Sequence, residues 1–472
     1  MKDQKMALPG KRWLPLCLLC MFCTTLSFTS ASCSKDEEAW MELPPGDNAE
    51  KLEGVWQSIG YGYVLDIRNG VATVYDATSK TCIQKSFFFD NNSLNVADWQ
   101  VQLNKRGDRM IYHGQGIITE FHFRKLPQLP SVCANGGMQP TQDPLVNFDV
   151  LWQTFKEHYA FFKERQVDWD ALRDHYRPQV TANNLETIFN EMLTKFQEDH
   201  VTLTTNGDDF INRFDAGANR TFARFLPELP ENISQPELKM YLVEQFPGFV
   251  QNIAGIYLQG NFKTAVNDNL LWGKLDDTTG YLLVAQMAGY DLKELQSGLD
   301  QAFADLKNCR GLVLDVRFNL GGYDRHSLEL AGRFFANSQF AWQFKARDDQ
   351  GYGPTQVVRV HPTGQQPFTK PVRILTSIMT SSAAEIFTLT MKQLPQVKTV
   401  GETTNGIYST ILNKALPNGW LFSLSNEVVS DAKEREYEAK GIPADIRADF
   451  PTKAQRGAGI DPALERYKQW FQ

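Results

Sequence analysis

Two short stretches carry the residues best suited to covalent chemistry, and each follows an apolar run typical of a buried strand. In TSSAAEIF, Ser382 stands between a strand-like run and a helix-like run, where a nucleophilic hydroxyl can face unpaired backbone N–H groups. In DVRFNLGG, Gly321 and Gly322 would let backbone N–H groups approach a ligand closely. Together the two stretches could supply a nucleophile and two donors for an oxyanion.

Each stretch also has a purely structural interpretation. Ser382-x-x-Glu385 is the pattern of a helix capping box, in which the serine side chain accepts a hydrogen bond from a backbone N–H group. A Gly-Gly pair is a common plain turn, and Ser381 is an alternative nucleophile one residue earlier. These two stretches alone therefore do not separate a reactive serine from a capped helix.

A nucleophilic serine also needs a base, and the chain has seven histidines. His200 ends a helix-like segment at EDH and precedes the β-like VTLTT, a junction that can display a catalytic group. His326, close behind the glycine pair, is the competing candidate. Taken by itself, His200 is better explained as a structural histidine than as a base.

The elements around these residues alternate between helix and strand. From about Trp272 onward, continuous apolar runs such as GYLLVAQ and GLVLDV are separated by helical patterns such as LKELQSGLDQAFADL. This pattern predicts an α/β core with a largely parallel sheet, and ligands gather beyond the carboxyl ends of such strands. The helical segment ahead of the core has apolar residues three and four apart in LETIFNEMLTKF.

The N-terminal part of the chain has a different, all-β pattern. YVLDIRNGVATVYD alternates around Asn69-Gly70, which predicts a hairpin in a small antiparallel β-domain. The predicted organisation is a signal segment, a tether, a β-domain, a linker, a helical or mixed segment and the α/β core, at residues 1–32, 33–50, 51–125, 126–144, 145–270 and 271–460.

Five motifs, in order along the chain, resemble those of the C-terminal-processing and tricorn-core serine peptidases: EDHVTL, LVLDVRFNLGG, LTSIMTSSAAEIF, VGETTNG and YEAKGIPADI. The resemblance covers about residues 145–460 and leaves the β-domain unexplained. It implies that Ser382 is the nucleophile and that oxyanion donors come from Ala383 and the Gly-Gly turn, with Gly321 favoured over Gly322. The substrate it implies is a peptide or an unfolded protein, with no cofactor and no metal.

The same resemblance bears on the base. One branch of the family uses a lysine directly after a Gly-Glu-x-Thr-x-Gly run, and in this chain that position is Ile407, which cannot accept a proton. The tricorn-like branch uses a histidine and a late glutamate, which match His200 and Glu438. Asp199 stands where the tricorn pattern has a serine, and it could hold the imidazole. Glu385 is then expected to cap the helix rather than react.

The first residues are typical of an export signal. Lys11 and Arg12 precede an apolar run and small residues that end at Cys33, which resembles the lipidated cysteine of bacterial lipoproteins. The following SKDEE resembles the export tag of surface lipoproteins in the Bacteroides group. We therefore expect an envelope protein that a lipid on Cys33 holds at the outer membrane, where the export tag would allow exposure at the cell surface. The alternative is an ordinary cleaved signal, with no lipid on Cys33.

Cysteine usage and charge restrict the remaining classes. In an oxidising envelope, Cys82 and Cys133 could pair and tie the β-domain to its linker. No Cys/His spacing indicates a zinc site, so no metal is expected. The formal net charge of −7 and the lack of a Lys/Arg cluster argue against nucleic acid as a partner. A silent binding protein on a peptidase-like scaffold and a glycan-binding surface lipoprotein remain as alternatives.

Overall fold

The computed structural model describes residues 39–471 apart from 45, 47–48, 86–93, 115, 206–213, 217–218, 230–232 and 234. The predicted signal segment 1–32 and Cys33 lie outside the described residues. Among the helices of the described residues, none is long and apolar enough to cross a membrane.

The N-terminal β-domain is a single antiparallel sheet with the order β1-β6-β7-β8-β2-β3-β4-β5. Its strands are β1 (Trp40–Leu43), β2 (Gly54–Ser58), β3 (Tyr63–Arg68), β4 (Val71–Ala77), β5 (Cys82–Lys85), β6 (Gln100–Asn104), β7 (Arg109–His113) and β8 (Glu120–Leu126). The predicted hairpin is present: Asn69 and Gly70 both have positive φ, 52° and 74°, as a two-residue type I′ turn requires. A disulfide joins Cys82 to Cys133 across 51 residues, which confirms the predicted pairing.

The helices follow the predicted order. They are α1 (Ala49–Leu52), α2 (Pro144–His158), α3 (Trp169–Tyr176), α4 (Leu185–Leu193), α5 (Asn219–Phe225), α6 (Gln235–Asn252), α7 (Leu292–Leu306), α8 (Asp324–Gly332), α9 (Ala383–Met391) and α10 (Lys453–Gly457). Local sequence starts two of them: Asp143 caps α2 ahead of Pro144, and Asp291 forms a capping box with Glu294 at α7.

The central sheet of the α/β core has the order β11-β12-β13-β14-β18-β19-β23, parallel from β13 onward. The other strands after the β-domain form two smaller four-stranded sheets, β10-β9-β21-β20 and one in which β15 pairs with β16, β17 and β22. The strands after the β-domain are β9 (Thr202–Thr204), β10 (Phe214–Asp215), β11 (Phe262–Ala265), β12 (Leu270–Lys274), β13 (Thr279–Val284), β14 (Gly311–Asp315), β15 (Gln339–Asp348), β16 (Gly351–Tyr352), β17 (Gln356–Val360), β18 (Val372–Thr376), β19 (Val397–Gly401), β20 (Ile411–Ala415), β21 (Leu421–Ser425), β22 (Glu427–Ser430) and β23 (Ile446–Arg447).

Both faces of this sheet are covered. On β13, Leu282 and Val284 pack into one cluster with α7, α8 and α9, while Tyr281 and Leu283 pack into another with α6 and Trp470. β13, β14 and β18 are buried along their whole length, as expected for strands with helices on both sides. The predicted α/β core with a largely parallel sheet is confirmed.

Three of the predicted domain boundaries differ from those in the structure. The tether 33–50 contains β1, which pairs with β6 and buries Leu43, so the β-domain begins before residue 51. The core begins before residue 271, because β11 at Phe262–Ala265 pairs with β12. It also continues past residue 460, where the Trp470 carbonyl accepts a hydrogen bond from Arg373 Nε at 2.9 Å. Strands of only four residues at sheet edges and a terminal turn are weak signals in a sequence.

Candidate active site

Ser382 lies on a sharp turn between β18 and α9. It is the residue before the first helical residue, and its backbone adopts φ 52° and ψ −126°, a conformation that costs a non-glycine residue about 1–3 kcal/mol. Its side chain makes no capping hydrogen bond. The capping-box interpretation of Ser382 and Glu385 is therefore wrong, and the strained turn leaves the hydroxyl available.

Ser381, the alternative nucleophile, is already engaged. Its Oγ donates to the Leu320 carbonyl at 3.0 Å, and its backbone N–H donates to the Asn319 carbonyl at 3.1 Å. Ser381 thereby joins the serine turn to the neighbouring glycine turn. Ser382, by contrast, is half-buried and lines a cavity.

That cavity, of about 360 Å³, brings together the predicted nucleophile and the predicted base. Ser382 and His200 both line it, although they are far apart in the sequence. Gly322 also lines it, from the turn after β14. We call it the serine cavity.

The two glycines have different roles. The Gly321 N–H donates to Asn319 Oδ1 at 2.9 Å, so the geometry does not favour Gly321 as the oxyanion donor. A Cβ at Gly321, where φ is 101°, would lie 2.6 Å from the Ser382 Cβ, so only glycine lets the two turns come this close. Gly322 and the first helical N–H of α9, at Ala383, are the donors that the arrangement offers.

His200 is fixed by a small sheet formed from distant parts of the chain. It is 7% exposed and precedes β9 by two residues. β9 pairs with β21, and the Ser423 hydroxyl of β21 donates to the His200 carbonyl at 2.7 Å. Asp199, one residue earlier, is half-buried. The strand that was predicted from VTLTT thus sets the position of the histidine.

His326, the competing base, is placed differently. It is fully buried, its Nδ1 lies 2.9 Å from the Met287 carbonyl, and its ring stacks on Tyr290. Burial lowers the pKa of His326. Its position in α8, packed behind the Gly-Gly turn, is that of a structural histidine.

Glu385 supports the nucleophile turn from below. Its two carboxylate oxygens accept the N–H groups of Gly406 and Ile407 at 2.7 and 2.8 Å. The Ile407 carbonyl in turn accepts the N–H of Ser382 at 3.0 Å. Burial raises the pKa of Glu385 to about 7. The sequence predicted that Glu385 caps α9, but in the structure Glu385 instead links α9 to the segment 404–408.

Glu438 lies behind the wall of the serine cavity. Its Oε2 accepts the N–H of Tyr408 at 2.8 Å, and Tyr408 lines the cavity. Its Oε1 accepts from the Arg165 guanidinium at 2.7 Å. Burial, with the nearby Glu198 carboxylate, raises the pKa of Glu438 to about 8. The glutamate therefore acts on the cavity through the backbone that it holds.

Arg165 connects the loop of the histidine with the loop that supports the serine. On one side it donates to the Gln197 carbonyl at 2.9 Å and lies 3.7 Å from Glu198. On the other side it donates to the Gly406 carbonyl at 3.2 Å and to Glu438. Its side chain is only 6% exposed. We call this set of contacts the Arg165 clamp.

Neither the Arg165 clamp nor the role of Asn319 could be predicted with ease from local sequence patterns. Arg165 lies in KERQ, which resembles any charged loop, and its partners are 32 to 273 residues away. Asn319 is fully buried, and its Nδ2 donates to the Val284 carbonyl at 3.0 Å. An asparagine four residues after the end of a buried strand and two residues before Gly-Gly was the one available signal.

Comparisons with known proteins support a serine peptidase. Residues 278–448 match the profile of peptidase family S41, and residues 140–198 match that of the Tricorn protease C1 domain. The chain is 24% identical over 180 residues to the carboxy-terminal processing protease CtpA of Bacillus subtilis. That match covers 38% of this chain and 37% of the relative, so the chain spans little more than a third of this relative's length.

Solved structures show the same fold. A crystal structure from Parabacteroides merdae, assigned to the peptidases, has a TM-score of 0.57 at 25% identity and covers 70% of this chain and 96% of its own. The crystal structure of mature CPAF has a TM-score of 0.52 at 11% identity, and the match covers 70% of this chain and 96% of CPAF. At this identity the similarity concerns only the fold. Over the residues that the two profiles cover, these matches support a serine peptidase of the C-terminal-processing, tricorn-like kind.

Proposed function

We propose that this protein hydrolyses peptide bonds through an acyl-enzyme, with Ser382 as nucleophile and His200 as general base. The observation that carries the proposal is the serine cavity, which Ser382 and His200 line together while the strained turn leaves the Ser382 hydroxyl free of a capping role. The substrate is a peptide or an unfolded protein segment, because a cavity of about 360 Å³ cannot admit a folded chain.

The reaction follows from the groups present. Ser382 Oγ attacks the scissile carbonyl carbon and His200 takes the hydroxyl proton. The resulting oxyanion is held by the N–H groups of Ala383 and Gly322, each worth about 3–4 kcal/mol in comparable hydrolases. As the C–N bond breaks, His200 returns the proton to the leaving amine. Water then attacks the acyl carbon, with His200 again as base, and releases Ser382.

The supporting residues act by positioning His200 and the backbone around Ser382. Asp199, next to His200, is proposed to orient the imidazole. Glu438 and Glu385 hold the backbone at Tyr408 and at 406–407, respectively, on which the Ser382 N–H depends. Neither glutamate is proposed to exchange a proton with substrate, since each is engaged by backbone N–H donors.

Proteolysis of an unstructured protein such as casein by the full chain tests this proposal, with Ser382→Ala and His200→Ala compared at equal concentration. We expect both variants to lose at least a thousandfold in rate, since nucleophile and base act as a unit. Ser381→Ala is the matched control and should keep most of the activity. A wild-type protein that cleaves nothing across several substrates and pH values would favour a silent binding protein on this scaffold.

The proposal extends to the location of the protein. Cys33, after an apolar run and small residues, is proposed to carry the lipid that anchors the chain at the outer membrane of the cell envelope. Mass spectrometry of the mature N-terminus tests it: a diacylglyceryl group on Cys33 is expected. Cys33→Ala should release the protein from the membrane fraction, and an unmodified cleaved N-terminus at another residue would overturn the assignment.

A further inference from the structure

The β-domain is fixed to the α/β core by buried polar contacts. Lys414 Nζ, from β20, donates to the Tyr61 carbonyl at 2.8 Å and to Asp76 Oδ1 at 2.7 Å. The Tyr61 hydroxyl donates to Glu427 Oε1 at 2.7 Å. Lys414 and Asp76 are both buried, so a buried ion pair joins the β-domain to the core. The β-domain is therefore part of one body with the core at this point.

A second set of contacts fixes the segment just before β8. The Glu120 N–H donates to Gln356 Oε1 at 2.8 Å, and Gln356 Nε2 donates back to the Glu120 carbonyl at 2.7 Å. The Thr119 hydroxyl donates to Glu427 Oε1 at 3.3 Å. Ile118, directly before, packs against the core cluster that contains α8 and α9. This places the segment 116–119 beside the nucleophile helix.

The fixed β-domain supplies a wall of the serine cavity. Most of the residues it contributes have large apolar or aromatic side chains, namely Tyr61, Tyr63, Ile117, Ile118 and Phe121; Lys85, Gly116 and Thr119 also line the cavity. The core adds Tyr408, Ile411 and Leu412. Two other lining residues, Tyr323 and Ile411, remain 48% and 39% exposed. Their exposed apolar surface would be stabilised by contact with a ligand that removes it from water. Large exposed apolar side chains beside a nucleophile indicate a binding surface.

Two of the charged residues that line this cavity, Lys85 and Glu427, have polar partners within the protein. Lys85 lies 3.1 Å from Asp76, and Glu427 accepts from Tyr61 and Thr119. Asp324 and Arg325, neighbours of opposite charge at the start of α8, also line the cavity. Burial, together with the nearby charge of Glu427, raises the pKa of Asp324 to about 7. The surface left for a substrate side chain is therefore mainly apolar.

The geometry points to the β-domain as a specificity element: its apolar wall, with Ile118 nearest the core helices, selects substrate segments that present a large aliphatic or aromatic side chain. This inference rests on the proposed peptidase function and names its substrate class. It also gives the β-domain, which neither family profile covers, a direct place in substrate binding.

Rates of hydrolysis for a peptide series test the inference. The series varies one residue among leucine, phenylalanine, glycine, aspartate and lysine, on both sides of the cleaved bond. For the wild type we expect kcat/KM to be highest for leucine or phenylalanine, by about 10- to 200-fold over glycine, as for other apolar pockets. Ile118→Asp should reduce that preference at least tenfold. Val71→Asp is the matched control, because Val71 is 52% exposed on β4 of the same β-domain and is not among the cavity residues.

A second variant and an independent readout keep the two proposals separate. Ile118→Ala keeps the wall apolar but enlarges the cavity, so preference should move from leucine toward phenylalanine even if Ile118→Asp fails to fold. Labelling of Ser382 by a small fluorophosphonate reports the nucleophile alone and should persist in both variants. A wild type that prefers charged residues, or Ile118 variants with an unchanged profile, would overturn the inference. Loss of labelling in the wild type would instead overturn the proposed function.

Discussion

Replacing Arg165 by methionine should separate the histidine loop from the loop that supports the serine. Methionine fills much of the same space but removes the hydrogen bonds to Gln197, Gly406 and Glu438. It leaves the carboxylates of Glu198 and Glu438 buried, at 0% and 3% side-chain exposure, without their cation. Loss of one partner of a buried ion pair costs about 3–5 kcal/mol, so the free energy of unfolding should fall by that order.

The effect on catalysis should exceed the effect on substrate binding. A displacement of about 1 Å between reacting groups can reduce a rate by about 100-fold, and Arg165 contacts neither the substrate cavity nor the reacting atoms. We therefore expect kcat to fall about 100-fold with KM changed less than threefold. Arg165→Lys keeps the positive charge but not the forked donors, and should recover only part of kcat.

Steady-state kinetics on a chromogenic peptide, with urea denaturation in parallel, measures both effects. Arg177→Met is the matched control, because Arg177 binds Asp149 bidentately at a position where both side chains are more than a third exposed. That surface pair should contribute about 0–1 kcal/mol and leave kcat unchanged. If Arg165→Met lowers stability but retains wild-type kcat, the clamp is only structural and the positioning argument is refuted.

Three further predictions follow from the contacts around Ser382 and from the β-domain. Gly321→Ala should abolish proteolysis in a folded protein, since its Cβ would lie 2.6 Å from that of Ser382; retained activity in a casein assay would contradict this. Replacing Cys82 and Cys133 together by serine should lower unfolding stability by about 4 kcal/mol in urea, from a cross-link that spans 51 residues; an unchanged midpoint would refute it. Burial raises the pKa of Glu385 to about 7, above its unfolded value of about 4.3, so the folded state holds more protons between these values. Stability should therefore fall as pH rises from about 4.3 to 7, and Glu385→Gln should flatten that slope; a slope of the opposite sign would contradict the argument.

Local patterns predicted the elements with continuous apolar runs or with amphipathic spacing. The apolar runs of β13, β14, β18 and α9 reflect burial along the whole element, and the amphipathic spacing of α7 reflects contacts across one face. The Asn69-Gly70 turn is predictable for the same reason, because positive φ at two successive residues is a local demand.

The parts that could not be predicted depend on partners remote in the sequence. Arg165 gains its role from Glu438, and Lys414 gains its role from Asp76, 338 residues away. β1 is a strand only because β6 provides its pairing edge. Glu385 fits a capping box in sequence, yet its carboxylate reaches the backbone of the segment 404–408 in the folded chain. The choice between Gly321 and Gly322 rests on the Asn319 side chain, whose direction no spacing rule gives.

The most direct measurement of the central claim is covalent labelling of the full chain with a fluorophosphonate, followed by peptide mapping in a mass spectrometer. The geometry predicts a single adduct on Ser382, with labelling slowed at least a hundredfold by His200→Ala and less than tenfold by Ser381→Ala, which removes only the side-chain hydrogen bond to the Leu320 carbonyl. An adduct on Ser381, or a labelling rate that does not depend on His200, would contradict the assignment of nucleophile and base.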